Sequence, residues 1–215
     1  WKVLDYIIDE PNPNRNLNFA INSNLGLEDN MIDKLIGKIN RIEDEDRVNE
    51  FIIFTSVDTW GKQAEYIRNG LEFNRFWDNM NKILEKCPRV NLTIMSTYNA
   101  LSVPNYDKLI NDVYKLKTKY GTPDRYWNSA VFLDSSYLRF PTHQTVQVLP
   151  EKFDKIKRIW DWKVADWNGK EQQVREHRYN FGKFFKEHDK RRGTDFCKTF
   201  PELADFYNDC LEIKL

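Results

Sequence analysis

Phe51-Ile52-Ile53-Phe54, followed by Thr55-Ser56-Val57-Asp58, decides the fold class of this chain. Four large apolar residues run without a break into two hydroxyls and a carboxylate. A strand with one face in water alternates apolar and polar residues, whereas a parallel strand covered on both faces reads as a continuous apolar run. Residues 51–54 therefore predict a buried parallel strand whose carboxyl end is Ser56-Val57-Asp58.

The same unit recurs on either side. Upstream, 17–21 is a short apolar strand ending in Asn22-Ser23-Asn24, and Leu27, Met31, Ile32, Leu35, Ile36 and Ile39 follow at helical spacing. Before it, Val3, Leu4, Ile7 and Ile8 mark a short helix, stopped by Pro11-Asn12-Pro13-Asn14. Downstream, Phe73, Phe76, Trp77, Met80, Ile83 and Leu84 form one helical stripe, broken before Pro88. The run 90–95 is the next strand, ending in Ser96-Thr97-Tyr98-Asn99. Pro104 suits a first helical position, and Tyr106, Leu109, Ile110, Val113 and Leu116 make another stripe, closed by Gly121 and Pro123. The run 130–133 is a fourth strand, followed by Asp134-Ser135-Ser136, and 146–149 reads as a last one. A charged, Trp-rich helical stretch (Trp160, Trp162, Trp167) and a helix starting near Pro201 complete the chain.

Strand–helix–strand repetition without hairpin turns implies parallel strands joined by crossovers. That layout suits either part of a β/α barrel or a doubly wound sheet. In both, ligands sit at the carboxyl ends of the strands. Four successive strands end here in short hydroxyl, amide or carboxylate side chains, groups suited to a ribose, an amino acid or a base edge. The competing reading is local, since Ser, Asn and Asp also cap helices and form turns. Arg68, in Glu65-Tyr66-Ile67-Arg68-Asn69-Gly70, is a further candidate, able to fork onto a ligand carboxylate or to lie on a solvated helix face.

Composition narrows the classes. Among 215 residues, Lys and Arg total 33 and so do Asp and Glu, leaving no global field for nucleic acid or anionic membranes. Aromatics at 14% supply ample core material. Cys87, Cys197 and Cys210 are isolated and odd in number, unlike a disulfide scaffold. No apolar run approaches the roughly 18 residues of a membrane span, so a cytoplasmic protein is expected. His143, His177 and His188 lack metal-ligand spacing, and no metal site is expected within the chain. Cys210 falls on the apolar stripe of the last helix, which favours a core thiol over a Cys197/Cys210 metal pair, and Lys190-Arg191-Arg192 reads as a surface turn or as an anion contact.

Phe54-Thr55-Ser56-Val57-Asp58, then Ala64 to Gly70, then Phe73-Asn74-Arg75-Phe76-Trp77-Asp78-Asn79, resemble the fourth strand and following helix of the radical S-adenosylmethionine (radical SAM) enzymes. His188-Asp189-Lys190-Arg191-Arg192-Gly193-Thr194-Asp195-Phe196, with Phe200-Pro201-Glu202-Leu203, is similar to the closing segment of members with a twitch or SPASM-like extension. The resemblance implies an incomplete β/α (TIM-type) barrel over residues 1–149 and a mainly helical twitch-like extension over 150–215. It implies S-adenosylmethionine as cofactor, with Ser56 at the ribose or amino-acid end, Arg68 on the methionine carboxylate, and Asn24, Asp58 and Ser96 nearby.

Asn22-Ser23-Asn24 departs from the family's Thr-Asn-Gly, and Thr59 replaces a glycine after Asp58. The larger departure is the absence of a CxxxCxxC loop for the 4Fe–4S cluster and of a Gly-Gly-Glu-Pro segment. The expected function is that of a C-terminal fragment of an enzyme which, with its missing cluster segment, generates a 5′-deoxyadenosyl radical to modify a peptide or small molecule. Alone, this chain is expected to be inactive, and its catalytic residues are not identifiable. On this reading the sheet is open at the edge of the 17–22 strand, and neither a membrane nor nucleic acid is a partner. A non-catalytic α/β nucleotide- or protein-binding module is the alternative. A hydrolase using Asp58 and Glu65 would instead require the two carboxylates to face one cavity.

Overall fold

A computed structural model describes residues 1–121, 130–150 and 171–215. Pro123 and the stretch carrying Trp160, Trp162 and Trp167 lie outside the described residues. The chain is α/β, with four strands, β1 (Asn14–Asn22), β2 (Val48–Ser56), β3 (Asn91–Tyr98) and β4 (Val131–Tyr137), in the order β1-β2-β3-β4. β1 pairs parallel to β2, with Phe19 beside Phe51, and β2 pairs parallel to β3, with Ser56 beside Met95. Hydrogen bonds from Leu92 N to Ala130 O and from Leu138 N to Tyr98 O carry the parallel pairing on to β4. Sequence order and spatial order coincide, so the sheet grows in one direction and has no point at which the order reverses.

Two compact units share the chain. The first comprises Trp1–Val57, Gly70–Ser96 and Ile110–Asp134. It holds β1, β2 and most of β3, with α1 (Lys2–Asp9), α2 (Asp29–Asp44), α4 (Phe73–Lys86) and the later part of α5 (Tyr106–Tyr120). The predicted stripes are its core: Ile32, Leu35, Ile36, Ile39 and Ile42 of α2, and Phe76, Met80, Ile83 and Leu84 of α4, are buried with Phe51, Ile53, Leu92 and Ile94. Each such side chain contributes about 1.5–3 kcal/mol relative to exposure. Arg47 accepts the role of C-terminal cap for α1, its guanidinium donating to the carbonyls of Ile7, Ile8 and Glu10.

Among the described residues, the two faces of this sheet differ in burial. Phe51, Ile53 and Thr55 of β2 are buried, while Ile52, Phe54 and Ser56 are half-buried and Met95 of β3 is exposed. The unbroken apolar run of β2 thus has one buried and one half-buried face. β1 is an edge strand paired only to β2 among the described strands, and none of its residues is buried.

The second unit comprises Asp58–Asn69, Thr97–Leu109 and Ser135–Leu215. It holds α3 (Gly61–Ile67), α6 (Glu171–Arg192), α7 (Phe196–Thr199) and α8 (Ala204–Glu212). Its core is aromatic: Tyr66, Phe181, Phe185, Phe196, Phe200, Phe206 and Tyr207 are buried, and Phe196 stacks on Tyr207 at 4.4 Å between ring centroids. The last strand expected at 146–149 is instead a 3-10 turn over Val146–Val148. Val148 N bonds Thr145 O and Leu149 N bonds Val146 O, so the backbone is satisfied locally and forms no sheet ladder. Pro104 likewise sits in a 3-10 turn (Val103–Asn105) that leads into α5, and Pro201 opens another (Pro201–Leu203) before α8. Among the described residues, no helix is long and apolar enough to cross a membrane.

Candidate functional site

The carboxyl ends of β1 and β2 belong to the first unit. Register puts Asn22, Phe54 and Thr93 side by side in one row, and Ser56 beside Met95 in the next, all on the less buried face. Asn22, Ser56 and Thr93 make no side-chain hydrogen bond among the described residues, so three short polar groups are uncommitted on that face. Lower on the same face, Asn91 Nδ2 donates to Glu50 Oε1.

Asn24 is a turn former. Its Oδ1 accepts from Gly26 N at 3.1 Å, and Ser23 Oγ accepts from Leu25 N at 3.1 Å. These turns bring the chain back on itself at Leu25, a fully buried residue with φ of 50° in the left-handed region. A non-glycine residue persists there only where its surroundings over-determine it. Asn79, buried on α4, does this by donating to Leu25 O at 2.8 Å and Leu27 O at 2.9 Å, while Arg75 pairs with Glu28 at 2.9 Å. Sequence reading counted Asn79 only within a resembling segment. The signal was an amide beside Met80, between Phe76 and Ile83 on an otherwise apolar stripe.

Ser96 is not at a strand end, since β3 continues to Tyr98. It lies on the buried face with Leu92 and Ile94, opposite to the face of Ser56, and its Oγ is buried with no partner among the described residues. Asp134, Ser135 and Ser136 likewise fall inside β4 rather than after it.

In the second unit, Asp58 and Arg68 come together. Arg68 Nε donates to Asp58 Oδ2 at 3.0 Å, and Thr97 N donates to Asp58 Oδ1 at 2.8 Å. Asp58 is 6% exposed, with one hydrogen bond on each oxygen, so it acts by aiming the guanidinium. Arg68 caps α3, and its Nη nitrogens make no hydrogen bond among the described residues. Glu65 pairs with Lys62 at 2.6 Å. Asp58 and Glu65 therefore each pair with a cation of their own. Thr59 is fully buried, its hydroxyl donating to Ser102 O at 3.3 Å. Asn99 is a turn former, its Oδ1 accepting from Leu101 N at 2.9 Å.

The His188–Phe196 segment does structural work. Asp189 accepts from the Tyr66 hydroxyl at 2.9 Å, from the Thr194 hydroxyl at 2.7 Å and from Phe196 N at 2.9 Å, tying α6 to α3 and α7. Burial, reinforced by Asp189, raises the Tyr66 phenol far above its ordinary value. His188 lies against Tyr66 with ring centroids 4.4 Å apart, and burial depresses its basicity. Among the described residues, no three His, Cys, Asp or Glu gather as a metal-binding group. No known protein family, curated protein or solved structure matches the chain.

Proposed function

We propose that this chain forms part of a radical SAM barrel and binds S-adenosylmethionine at the carboxyl ends of its strands. The observation that carries this reading is the uncommitted row of Asn22, Ser56 and Thr93 on the less buried face of a parallel sheet. Strand order supports a barrel over a doubly wound sheet, because doubly wound order reverses at the ligand crevice and here it does not. Among the described strands β1 is at the edge of the sheet, which suits the incomplete barrel proposed.

The donor set suits a ligand with ribose hydroxyls and an amino-acid end. Within the first unit Ser56 offers a free hydroxyl suited to a ribose or amino-acid end; within the second, Arg68, positioned by Asp58, offers Nη donors suited to a carboxylate. Asn24 shapes the turn after β1, and Ser96 lies on the face of β3 opposite to that of Ser56. The cluster does not fit these residues. Cys87 and Cys210 are buried, burial pushes both thiols up to about 12, and Cys197 stands apart from Cys87 in sequence and in unit. The three cysteines of this chain do not supply its ligands, and these residues are proposed only to bind S-adenosylmethionine. A cytoplasmic setting is part of the proposal, supported by three free cysteines.

Titration calorimetry of the iron-free chain with S-adenosylmethionine tests the reading. Weak binding is expected, reduced about tenfold or more by Ser56→Ala and by Arg68→Ala, as suits loss of a charge-assisted contact. No binding, or binding indifferent to both substitutions, overturns it. The second reading, a non-catalytic nucleotide- or protein-binding module, is favoured by the lack of a cluster site. It predicts that adenosine without the methionine part binds equally well.

A further inference from the structure

We propose that the groove between α6 and α8 binds an acidic peptide segment carrying an apolar anchor. The inference stands apart from the S-adenosylmethionine reading and rests on the second unit alone. The groove has a volume of about 460 Å³ and is lined by Tyr179, Lys183, Lys186 and Glu187 of α6 and by Cys210 and Leu211 of α8. That volume lies within the range of ligand pockets and is far larger than a single ion needs.

Its walls are set by close helix packing. A Cβ on Gly182 would meet the Cys210 carbonyl carbon and oxygen at 3.0 Å, so the two backbones approach as nearly as a glycine allows. The floor is apolar: Cys210 is buried and protonated, and Leu211 remains 40% exposed. The rim carries two lysines and one glutamate, a net positive balance. Lys183 and Lys186 have no carboxylate partner among the described residues, and Lys183 rests over the Tyr179 ring at 4.5 Å.

These lysines belong to a longer stripe. Arg175, Tyr179, Lys183, Lys186 and Lys190 follow at spacings of four, four, three and four, which places them on one helix face. The stripe spans about 22 Å at the α-helical rise, enough for six or seven residues of extended peptide. Whole-chain neutrality is therefore compatible with a local basic surface. Glu187 in the wall repels a continuous phosphate backbone, whereas a peptide can place its carboxylates opposite the lysines alone. The apolar floor adds a reason for a side chain such as leucine, which nucleic acid lacks.

Fluorescence anisotropy at low ionic strength tests this with a labelled Asp/Glu-rich peptide containing two leucines four residues apart. Controls are the same peptide with Gln and Asn for its acids, the same with Ser for its leucines, and a single-stranded oligonucleotide. Saturable binding is expected for the first peptide, weakened about tenfold or more by added salt and by Lys183→Glu with Lys186→Glu. Leu211→Ser is expected to erase the preference for the leucine-bearing peptide. Both lysines are exposed, and Lys183→Gln with Lys186→Gln gives the same reading if charge reversal disturbs folding. No binding, equal binding of the neutral peptide, equal or tighter binding of the oligonucleotide, or indifference to the lysine substitutions overturns the proposal.

Discussion

Asn79 on α4 holds Leu25 in a left-handed conformation by donating one amide to two carbonyls, that of Leu25 at 2.8 Å and that of Leu27 at 2.9 Å. Asn79→Ala strands both acceptors, one of them on a fully buried residue, and is expected to cost about 2 kcal/mol. Urea unfolding measures this directly. At Leu25 itself, glycine is usually about 1 kcal/mol worse than alanine in ordered structure. Here Leu25→Gly should be no worse than Leu25→Ala, since glycine accepts positive φ.

The Asp58–Arg68 pair makes a second test. Arg68 is 36% exposed at its side chain, so solvent screens the interaction, and Arg68→Ala is expected to cost about 1–2 kcal/mol through the carboxylate left behind. Asp58→Asn keeps an acceptor for Thr97 N but loses the charge. In a double-mutant cycle, coupling of about 1 kcal/mol is expected. Strict additivity would show that the two groups do not act as a unit.

Stability should fall on mild acidification. Burial lowers the basicity of His143, His177 and His188 below the ordinary 6.5, and Arg192 and Arg191 add to the effect at His188 while Asp189 opposes it. The unfolded chain then binds more protons than the folded one once pH drops below about 6.5. The histidines' stabilising contribution is complete above 6.5 and declines as pH falls towards the folded-state values. Melting temperatures between pH 7.5 and pH 5 should show the decline, and His188→Gln should flatten it. A stability rising over that interval would contradict the sign.

Thiol chemistry separates the cysteines. Cys87 and Cys210 are buried with thiols pushed up to about 12, while Cys197 is only half-buried. An aromatic disulfide reagent at pH 8 is expected to modify one thiol rapidly in the folded chain and three in denaturant. Cys197→Ser should remove the rapid phase, and a rapid phase that survives it would place the reactive thiol elsewhere.

Local pattern was enough for most elements. Phe73, Phe76, Met80, Ile83 and Leu84 announce α4 by spacing alone, and Phe51-Ile52-Ile53-Phe54 announces β2, because side-chain periodicity is a property of consecutive residues. It failed at 146–149, where β-branched residues read as a strand but no neighbouring strand is paired there, and the chain closes a 3-10 turn. It also could not tell how far β3 and β4 extend, since a ladder ends where its partner ends. Ser96 and Asp134 were therefore placed after strands that in fact contain them.

At the candidate site the division is sharper. That Asn24, Ser56 and Asp58 follow or close apolar runs is legible in the order of residues along the chain. Which of them is free depends on residues far away in sequence. Asp58 is occupied by the backbone of Thr97, 39 positions on, and by Arg68. Register turns Ser96 to the buried face and leaves Ser56 on the less buried one. A hydrogen bond or a sheet register is a relation between distant segments, and only folding brings both partners to one place. The alternation of strands and helices was legible in the chain, but the row of uncommitted groups at Asn22, Ser56 and Thr93 is a product of the tertiary structure.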